Sequence, residues 1–295
     1  MFEWISKSLT IMNNYSKQWS TATPGFLIFL IDQSSSMGSE WSDGKTFAQF
    51  TADVVNRTIN ELIATNAAGE TVKNRVFISI IGYGGKGVRD IRSGYLTTYA
   101  DAPLRIENTI KRVSDGEGGF FDMNIDTPIF IDAEAQGVTP MAGAFAFAEQ
   151  LIESWINVKN DNPVPVIINV TDGKPENGKP SMNDTELAST IATANSILSI
   201  ETLDGNPLIF NVHISKNRNE IQFPATREDV GNDVYANLLF QISSRVPEVY
   251  KRAAKDLELG DLKPSAKGLI SNASPETLIK FINFGSSGGL YRANF

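Results

Sequence analysis

The run Phe26–Ile31, FLIFLI, is six apolar residues long and ends abruptly in Asp32, Gln33 and three serines. A strand buried on both faces reads as such a continuous apolar run, whereas a half-exposed strand would alternate. Val164–Val170 and Leu208–Ser215 have the same character. Strands buried on both faces need layers above and below them, and the chain has the helices to supply those layers. Residues 45–66 carry Phe47, Phe50, Val54, Val55, Ile59, Leu62 and Ile63 at helical spacing. Further helices are predicted from Pro140 to about Val158, with proline in its first turn, and from Asn183, where Glu186 completes a capping-box pattern. Strands alternating with helices predict an α/β fold: a doubly wound, mainly parallel central sheet with helices on both faces.

The remaining expectations are local. Arg75–Gly82 reads as a second strand, and Gly87–Leu96 as an antiparallel edge strand after a Gly-rich turn. A helix is expected around Pro103–Val113, then an irregular stretch from Ser114 to Val138, and helices near 233–243, 246–258 and 274–284. The domain organisation expected is an N-terminal extension over 1–23, one domain over 24–245, and a C-terminal helical extension over 246–295 packed on that domain. Gly285–Gly289 reads as a loose tail.

Composition removes several classes of function. The net charge of −8 repels nucleic-acid phosphates and anionic lipid, so neither is expected as a partner. No cysteine is present, which excludes disulfides, thiolate metal sites and cysteine nucleophiles. The N-terminus has an early acid and no apolar core of a signal peptide, and no stretch has the length of a membrane span, so the expected location is cytoplasmic.

Asp32, Ser34 and Ser36 set three oxygen-bearing side chains at alternate positions beyond a strand end. Oxygens gathered there suit a hard cation. Two more loops carry matching donors: Thr139, just before a helix, and Asp172, just after the Val164–Val170 strand. In a parallel sheet all three loops lie at strand C-terminal ends and can converge. The set has two carboxylates and three hydroxyls. Hydroxyls are weak ligands, so a bound ion would keep Lewis acidity for an incoming carboxylate. Mg2+ fits, with Mn2+ or Ca2+ as alternatives.

Asp32-Gln33-Ser34-Ser35-Ser36, then Thr139, then Thr171-Asp172-Gly173 resembles the metal-ion-dependent adhesion site of von Willebrand factor type A domains, and the likeness spans about residues 24–245. The Met37-Gly38 pair fits as well. The resemblance implies a non-enzymatic protein-binding module. It implies that Ser34 and Ser36 bind the ion directly, that Asp32 and Asp172 act largely through water, and that Thr139 does either. A partner's Asp or Glu would complete the shell. Segment 114–138 is longer than in a minimal member. Asn211–Ser215, Asn237–Phe240 and Ser243-Ser244 are similar to bacterial intracellular type A proteins, which are often encoded beside a Ser/Thr kinase and a metal-dependent phosphatase. That likeness implies a signalling or stress-response role.

Competing motifs are weaker. Taken alone, Asp-x-Ser-x-Ser is also what a helix N-cap loop looks like. Gly38–Thr46 ends in Gly-Lys-Thr, and Lys45 with Asp172 would serve a P-loop-like nucleotide hydrolase, but five residues separate the glycines where the phosphate cradle needs four. Gly82–Gly87 fits Gly-x-Gly-x-x-Gly, yet Val88–Ser93 reads as extended, which favours a hairpin. His213, the single histidine, sits inside an apolar strand and reads as a core residue. Asp122, Asp126 and Asp132 could gather a second ion but read better as solvated loop residues. Trp41 is either a partner contact or buried.

Overall fold

The computed structural model describes residues 15–114, 119–173, 175–176, 183–260 and 262–287. Its elements, in chain order, are β1 (Gly25–Gln33), α1 (Phe47–Asn66), β2 (Val76–Gly84), β3 (Gly87–Tyr95), α2 (Leu96–Asp101), β4 (Arg105–Ser114), β5 (Phe120–Ile129), α3 (Met141–Val158), β6 (Val166–Thr171), α4 (Asn183–Ser199), β7 (Leu208–Ile214), β8 (Ile221–Gln222), α5 (Arg227–Val230), α6 (Val234–Ile242), α7 (Tyr250–Asp256), β9 (Leu269–Ala273) and α8 (Pro275–Ser287).

Seven strands form the central sheet in the order β8-β9-β7-β6-β1-β2-β3. β1 runs parallel to both β2 and β6, and β6, β7 and β9 continue in parallel. β3 is the expected antiparallel edge, and the two-residue β8 is a second one at the far side. The sheet is therefore doubly wound, with β1 and β6 flanking the point where strand order reverses.

Alternation within β1 builds both halves of the core. Leu27, Phe29 and Ile31 pack with α1 and α8 residues such as Val55, Ile59, Phe281 and Phe284. Phe26, Ile28 and Leu30 pack on the opposite face with Phe145, Ala148 and Ile152 of α3 and Leu239 and Ile242 of α6. Every residue of β1, β6 and β7 is buried, which is why these strands read as unbroken apolar runs. α1 starts at Phe47 because Thr46 closes a capping box: its hydroxyl accepts from Gln49 N (3.2 Å), and Thr46 N donates to Gln49 Oε1 (2.9 Å).

Two expectations are corrected. The helix predicted around Pro103–Val113 is strand β4, and much of the stretch expected to be irregular is its partner β5. The two pair antiparallel from Arg105↔Ile129 to Ser114↔Phe120 as a separate two-stranded ribbon. Ile106, Ile110 and Val113 recur at helical spacing, but Ile106 and Ile110 are exposed and meet no core that would reward a helix. β-branched residues then favour the extended pairing. A third difference lies beyond residue 216, where only helices were expected: β9 joins the sheet beside β7. At the chain's end, residues 285–287 of the expected loose tail form the last turn of α8, with Gly285 against Ile168; Gly288 and Gly289 lie outside the described residues, as do residues 1–14 of the N-terminal extension.

Candidate metal centre

β1 and β6 deliver the first two loops side by side. Ile31 pairs with Val170, so Asp32 leaves β1 beside Thr171 at the end of β6. Asp32 is fully buried. Its Oδ1 accepts the Ser34 backbone N–H (2.8 Å), and its Oδ2 accepts the Thr171 hydroxyl (2.7 Å). Residues 35–38 form a 3-10 turn with Ser34 at its N-cap position, but the Ser34 side chain makes no capping bond. The N-cap alternative therefore fails for that hydroxyl. Ser34 Oγ instead lies 3.1 Å from Ser36 Oγ, and Ser36 Oγ donates to Asp172 Oδ1 (2.7 Å). Asp32, Ser34, Ser36, Thr171 and Asp172 are thus one hydrogen-bonded set across the switch point.

The Thr139 loop is brought in through its backbone. Gln136 N donates to Gln33 O (2.7 Å) and Ser35 N to Gly137 O (2.9 Å), which fastens this loop to the Asp32–Ser36 loop. Thr139 N donates to Glu176 O (3.1 Å) and Glu176 N to Thr139 O (2.9 Å), which fastens it to the segment after Asp172. Gly137 is required at its position. Its φ is +74°, and a Cβ there would stand 2.3 Å from Gly85 Cα. Thr139 is buried, yet its side chain makes no hydrogen bond to Asp32, Ser34, Ser36 or Asp172. Beyond it, Ala142 N in the first turn of α3 donates to Glu186 Oε1 of α4 (3.1 Å).

Electrostatics give this cluster an uncompensated character. Burial pushes the Asp32 carboxyl up to about 6, against the donors Ser34 and Thr171, which lower it, and the Asp172 charge adds to the rise. Burial also raises Asp172. A fully buried carboxylate beside a half-buried one favours whatever neutralises them, a proton or a cation. All donors here are oxygens, the set a hard cation takes. Among the described residues no group of three or more His, Cys, Asp or Glu side chains gathers anywhere, so a cation at this place would depend on hydroxyls as much as on carboxylates. The residues fit such an ion.

The competing motifs resolve locally. Residues 40–42 and 45–46 pair as a small hairpin whose turn residues, Asp43 and Gly44, both have positive φ. Such a turn serves a hairpin and aims no row of N–H groups at a phosphate. Lys45 Nζ pairs with Asp53 Oδ2 at 2.5 Å on the surface of α1. Gly85-Lys86 is the two-residue turn between β2 and β3, as expected of a hairpin. His213 is buried in β7, 3.4 Å from Ser271 Oγ through Nδ1, and burial lowers its pKa. Asp126 accepts from Asn108 (3.1 Å) and Asp132 from Arg105 (2.5 Å), and among the described residues the three aspartates do not gather. Trp41 is half-buried, its ring centroid 5.1 Å from those of both Phe47 and Phe50. Reading the sequence missed Thr171. Its signal was the Thr-Asp pair itself, since a hydroxyl one residue before Asp172 ends β6 beside Asp32.

No protein-family model matches the chain, and no curated protein matches it. Among solved structures it is similar to a von Willebrand factor type A protein from Catenulispora acidiphila, at 15% identity and a TM-score of 0.34 over 66% of this chain and 34% of that one. It is similar to the ArnB paralog VWA2 from Sulfolobus acidocaldarius, at 13% identity and a TM-score of 0.34 over 66% and 36%. It is also similar to the PilB minor pilin from Streptococcus sanguinis, at 9% identity and a TM-score of 0.48 over 92% and 61%. The chain thus spans about a third of the length of the first two. Type A domains are among its structural neighbours, and its own strand order defines the class: a doubly wound α/β protein with an oxygen-lined cluster at the switch point. No helix among the described residues is long and apolar enough to cross a membrane.

Proposed function

We propose that this chain is a divalent-cation-dependent protein-binding module and not an enzyme. Asp32, Ser34, Ser36, Thr139 and Asp172 would hold Mg2+, or Mn2+ or Ca2+ in its place, and the ion would accept a carboxylate from an Asp or Glu of a partner protein. The observation that carries this reading is the hydrogen-bonded set joining the ends of β1 and β6, with Asp32 fully buried inside it. When bound, the ion supplies positive charge and a place for one more anionic oxygen. The chain's own residues do the rest. Thr171 and the Ser34 N–H orient Asp32, the Gln33–Gln136 and Ser35–Gly137 bonds hold the Thr139 loop beside it, and Glu176 closes the third side.

The non-enzymatic reading rests on the same inventory. The chain has no cysteine, and its one histidine lies inside β7 against Ser271. The partner class follows from charge: a hydroxyl-rich ion site recognises carboxylate. The likeness of Asn211–Ser215 and the Asn237–Ser244 region extends the proposal to a bacterial, cytoplasmic signalling or stress-response system with a Ser/Thr kinase or metal-dependent phosphatase encoded nearby.

Calorimetric titration with Mg2+ tests the site. Wild type takes up one ion, and Asp32→Ala takes up none. Capture of the products of neighbouring genes on immobilised protein, with and without EDTA, tests the function. Capture that persists in chelator and in Asp32→Ala overturns it.

A further inference from the structure

Four fully buried polar side chains meet among the apolar residues that α3, α4 and α6 lay on the sheet: Tyr83 of β2, Asn169 of β6, Asn211 of β7 and Ser243 at the end of α6. They form one unbroken chain of hydrogen bonds. The Tyr83 hydroxyl donates to Asn169 Oδ1 (2.8 Å), Asn169 Nδ2 to Asn211 Oδ1 (2.9 Å), Asn211 Nδ2 to Ser243 Oγ (2.9 Å), and Ser243 Oγ to the Leu239 carbonyl (2.7 Å).

The direction of this chain is set at its far end. The Leu239 carbonyl belongs to the last turn of α6, and the Ser243 N–H that would ordinarily serve it goes to Phe240 O instead (3.4 Å). A carbonyl only accepts, so Ser243 gives it its one hydroxyl proton. Ser243 is then an acceptor for Asn211, which turns its amide nitrogen to Ser243 and its oxygen to Asn169. Asn169 in turn offers Nδ2 to Asn211 and Oδ1 to Tyr83. Each step leaves one choice, and the last points the Tyr83 proton at Asn169. Its other acceptor in reach, Val170 O, is 3.5 Å away.

Tyr83 stands beside the cation cluster. Asp32 and Tyr83 are opposite residues of β1 and β2. The Thr171 hydroxyl, which donates to Asp32 Oδ2 (2.7 Å), also bears on the phenol. Burial first, then the Asp32 charge, pushes the Tyr83 pKa well above the ordinary phenol value, so the phenol always has a proton to place. Unheld, that proton would turn to the carboxylate side, because a charged acceptor makes the stronger bond. There it would compete with a cation for the same oxygens.

We propose that Tyr83 is a positioning residue of the cation site, and that Ser243, through Asn211 and Asn169, holds its proton away from Asp32 and Thr171. The phenol then turns only its oxygen, the negative end of its dipole, toward the cluster. That favours a cation there and gives Asp32 no further donor. This role deepens the cation reading and rests on it.

Calorimetric titration with Mg2+ of wild type, Tyr83→Phe, Ser243→Ala and the double variant tests it. Ser243→Ala frees the proton and is expected to weaken Mg2+ binding about 10-fold, the low end for loss of a group that orients a ligand. Tyr83→Phe removes the oxygen but leaves no stray proton, and should weaken it by about 2- to 3-fold. In the double variant Ser243→Ala adds nothing to Tyr83→Phe, because no proton remains to misplace. Lost packing at Ser243 would instead add in both backgrounds. The infrared C–O stretch of Tyr83, taken in EDTA as the difference between each protein and its Tyr83→Phe counterpart, reads the hydrogen bond without any metal. It is expected to shift between wild type and Ser243→Ala. Circular dichroism checks that Ser243→Ala folds; should it not, Tyr83→Phe still decides. Wild type that takes up no Mg2+ overturns the cation reading and this role together. Mg2+ uptake indifferent to Ser243→Ala, an equal loss in the Tyr83→Phe background, a C–O stretch that does not move, or Tyr83→Phe binding Mg2+ as tightly as wild type overturns this role alone.

Discussion

β1 and β5 are of similar length, nine and ten residues, and they are the two extremes of this molecule. Every residue of β1 is buried, and its two faces anchor the two halves of the core. β5 has one buried residue, Ile129, at the end that joins the body. The chemistry follows the same division. Cation ligands need a strand end that is fixed, and β1, paired on both sides, fixes Asp32, which we propose as one. β5 offers instead an exposed backbone and exposed apolar side chains, Phe121 and Met123 among them.

The sharpest way to break this contrast is to remove equal bulk from both strands. Phe29→Ala in β1 opens a cavity at the centre of the sheet and is expected to cost about 3–5 kcal/mol. Phe121→Ala in the ribbon, half-exposed to begin with, should cost about 0.5 kcal/mol or less. Urea denaturation of both variants measures the pair. Equal costs would mean that the ribbon is covered by something in the single chain and that the contrast is wrong.

The next effect concerns Asp32. Its folded pKa, about 6, stands above the ordinary carboxylate value, and burial is the cause. A raised pKa means that the folded state holds the proton more tightly than the unfolded chain. Its contribution to stability is full below pH of about 4 and is lost as pH rises through about 6, a loss of about 3 kcal/mol for two units. Without divalent ions, wild type should therefore lose melting temperature between pH 4 and pH 7 relative to Asp32→Ala. Mg2+ competes with that proton, so saturating Mg2+ should raise the melting temperature at pH 7.5 and have little effect at pH 5. Differential scanning calorimetry of the two proteins, each with Mg2+ and with EDTA, resolves the four cases. A stabilisation by Mg2+ that does not fade on acidification would remove Asp32 from the ion's surroundings.

A smaller effect tests whether the third loop is held in place by its neighbours. Gly137→Ala forces a Cβ into Gly85 Cα and strains a positive φ. It is expected to cost about 1–3 kcal/mol and to weaken Mg2+ binding, because Thr139 lies two residues on. Thr171→Val makes the complementary change. It keeps shape and burial but deletes the hydroxyl that Asp32 accepts. Loss of such an outer hydrogen bond lowers metal affinity by about 10- to 100-fold, read by calorimetric titration, while the fold stays within about 1–2 kcal/mol of wild type.

Legibility in the sequence tracks the division between β1 and β5. FLIFLI, the Val164–Val170 run and the Leu208–Ser215 run announced the sheet because burial on two faces leaves no room for polar alternation. The meeting of Asp32, Ser34, Ser36 and Asp172 was legible because they follow directly on such runs, whose C-terminal ends lie side by side in a parallel sheet. Thr139 was legible by position before a helix, but the bonds that hold it, Gln136 to Gln33 and Thr139 to Glu176, are backbone contacts with no side-chain signature. β9 was hidden because Leu269–Ala273 is short and comes after a string of helices. The ribbon was hidden for a deeper reason. Helical and strand periodicities are imprinted by a core, and of the described side chains of β4 and β5 only Ile129 reaches it. Ile106 and Ile110, both exposed, therefore carried a helical spacing that no core uses.

The least costly change expected is also the one that bears most on the ribbon. Met123→Ser replaces an apolar side chain, 42% exposed, with a polar one on β5, opposite Lys111. In the single chain it should alter global stability by about 0.5 kcal/mol or less, and Mg2+ affinity not at all, since among the described residues the ribbon shares no hydrogen bond with Asp32, Ser34, Ser36 or Asp172. Its local signature should be larger than its global one. Backbone amides of a marginal hairpin open without unfolding the sheet, so ribbon amides should exchange far faster than those of β1 or β6. Hydrogen exchange followed by mass spectrometry compares the segments directly. Protection of both ribbon strands equal to that of β1 would end the distinction between the two regions.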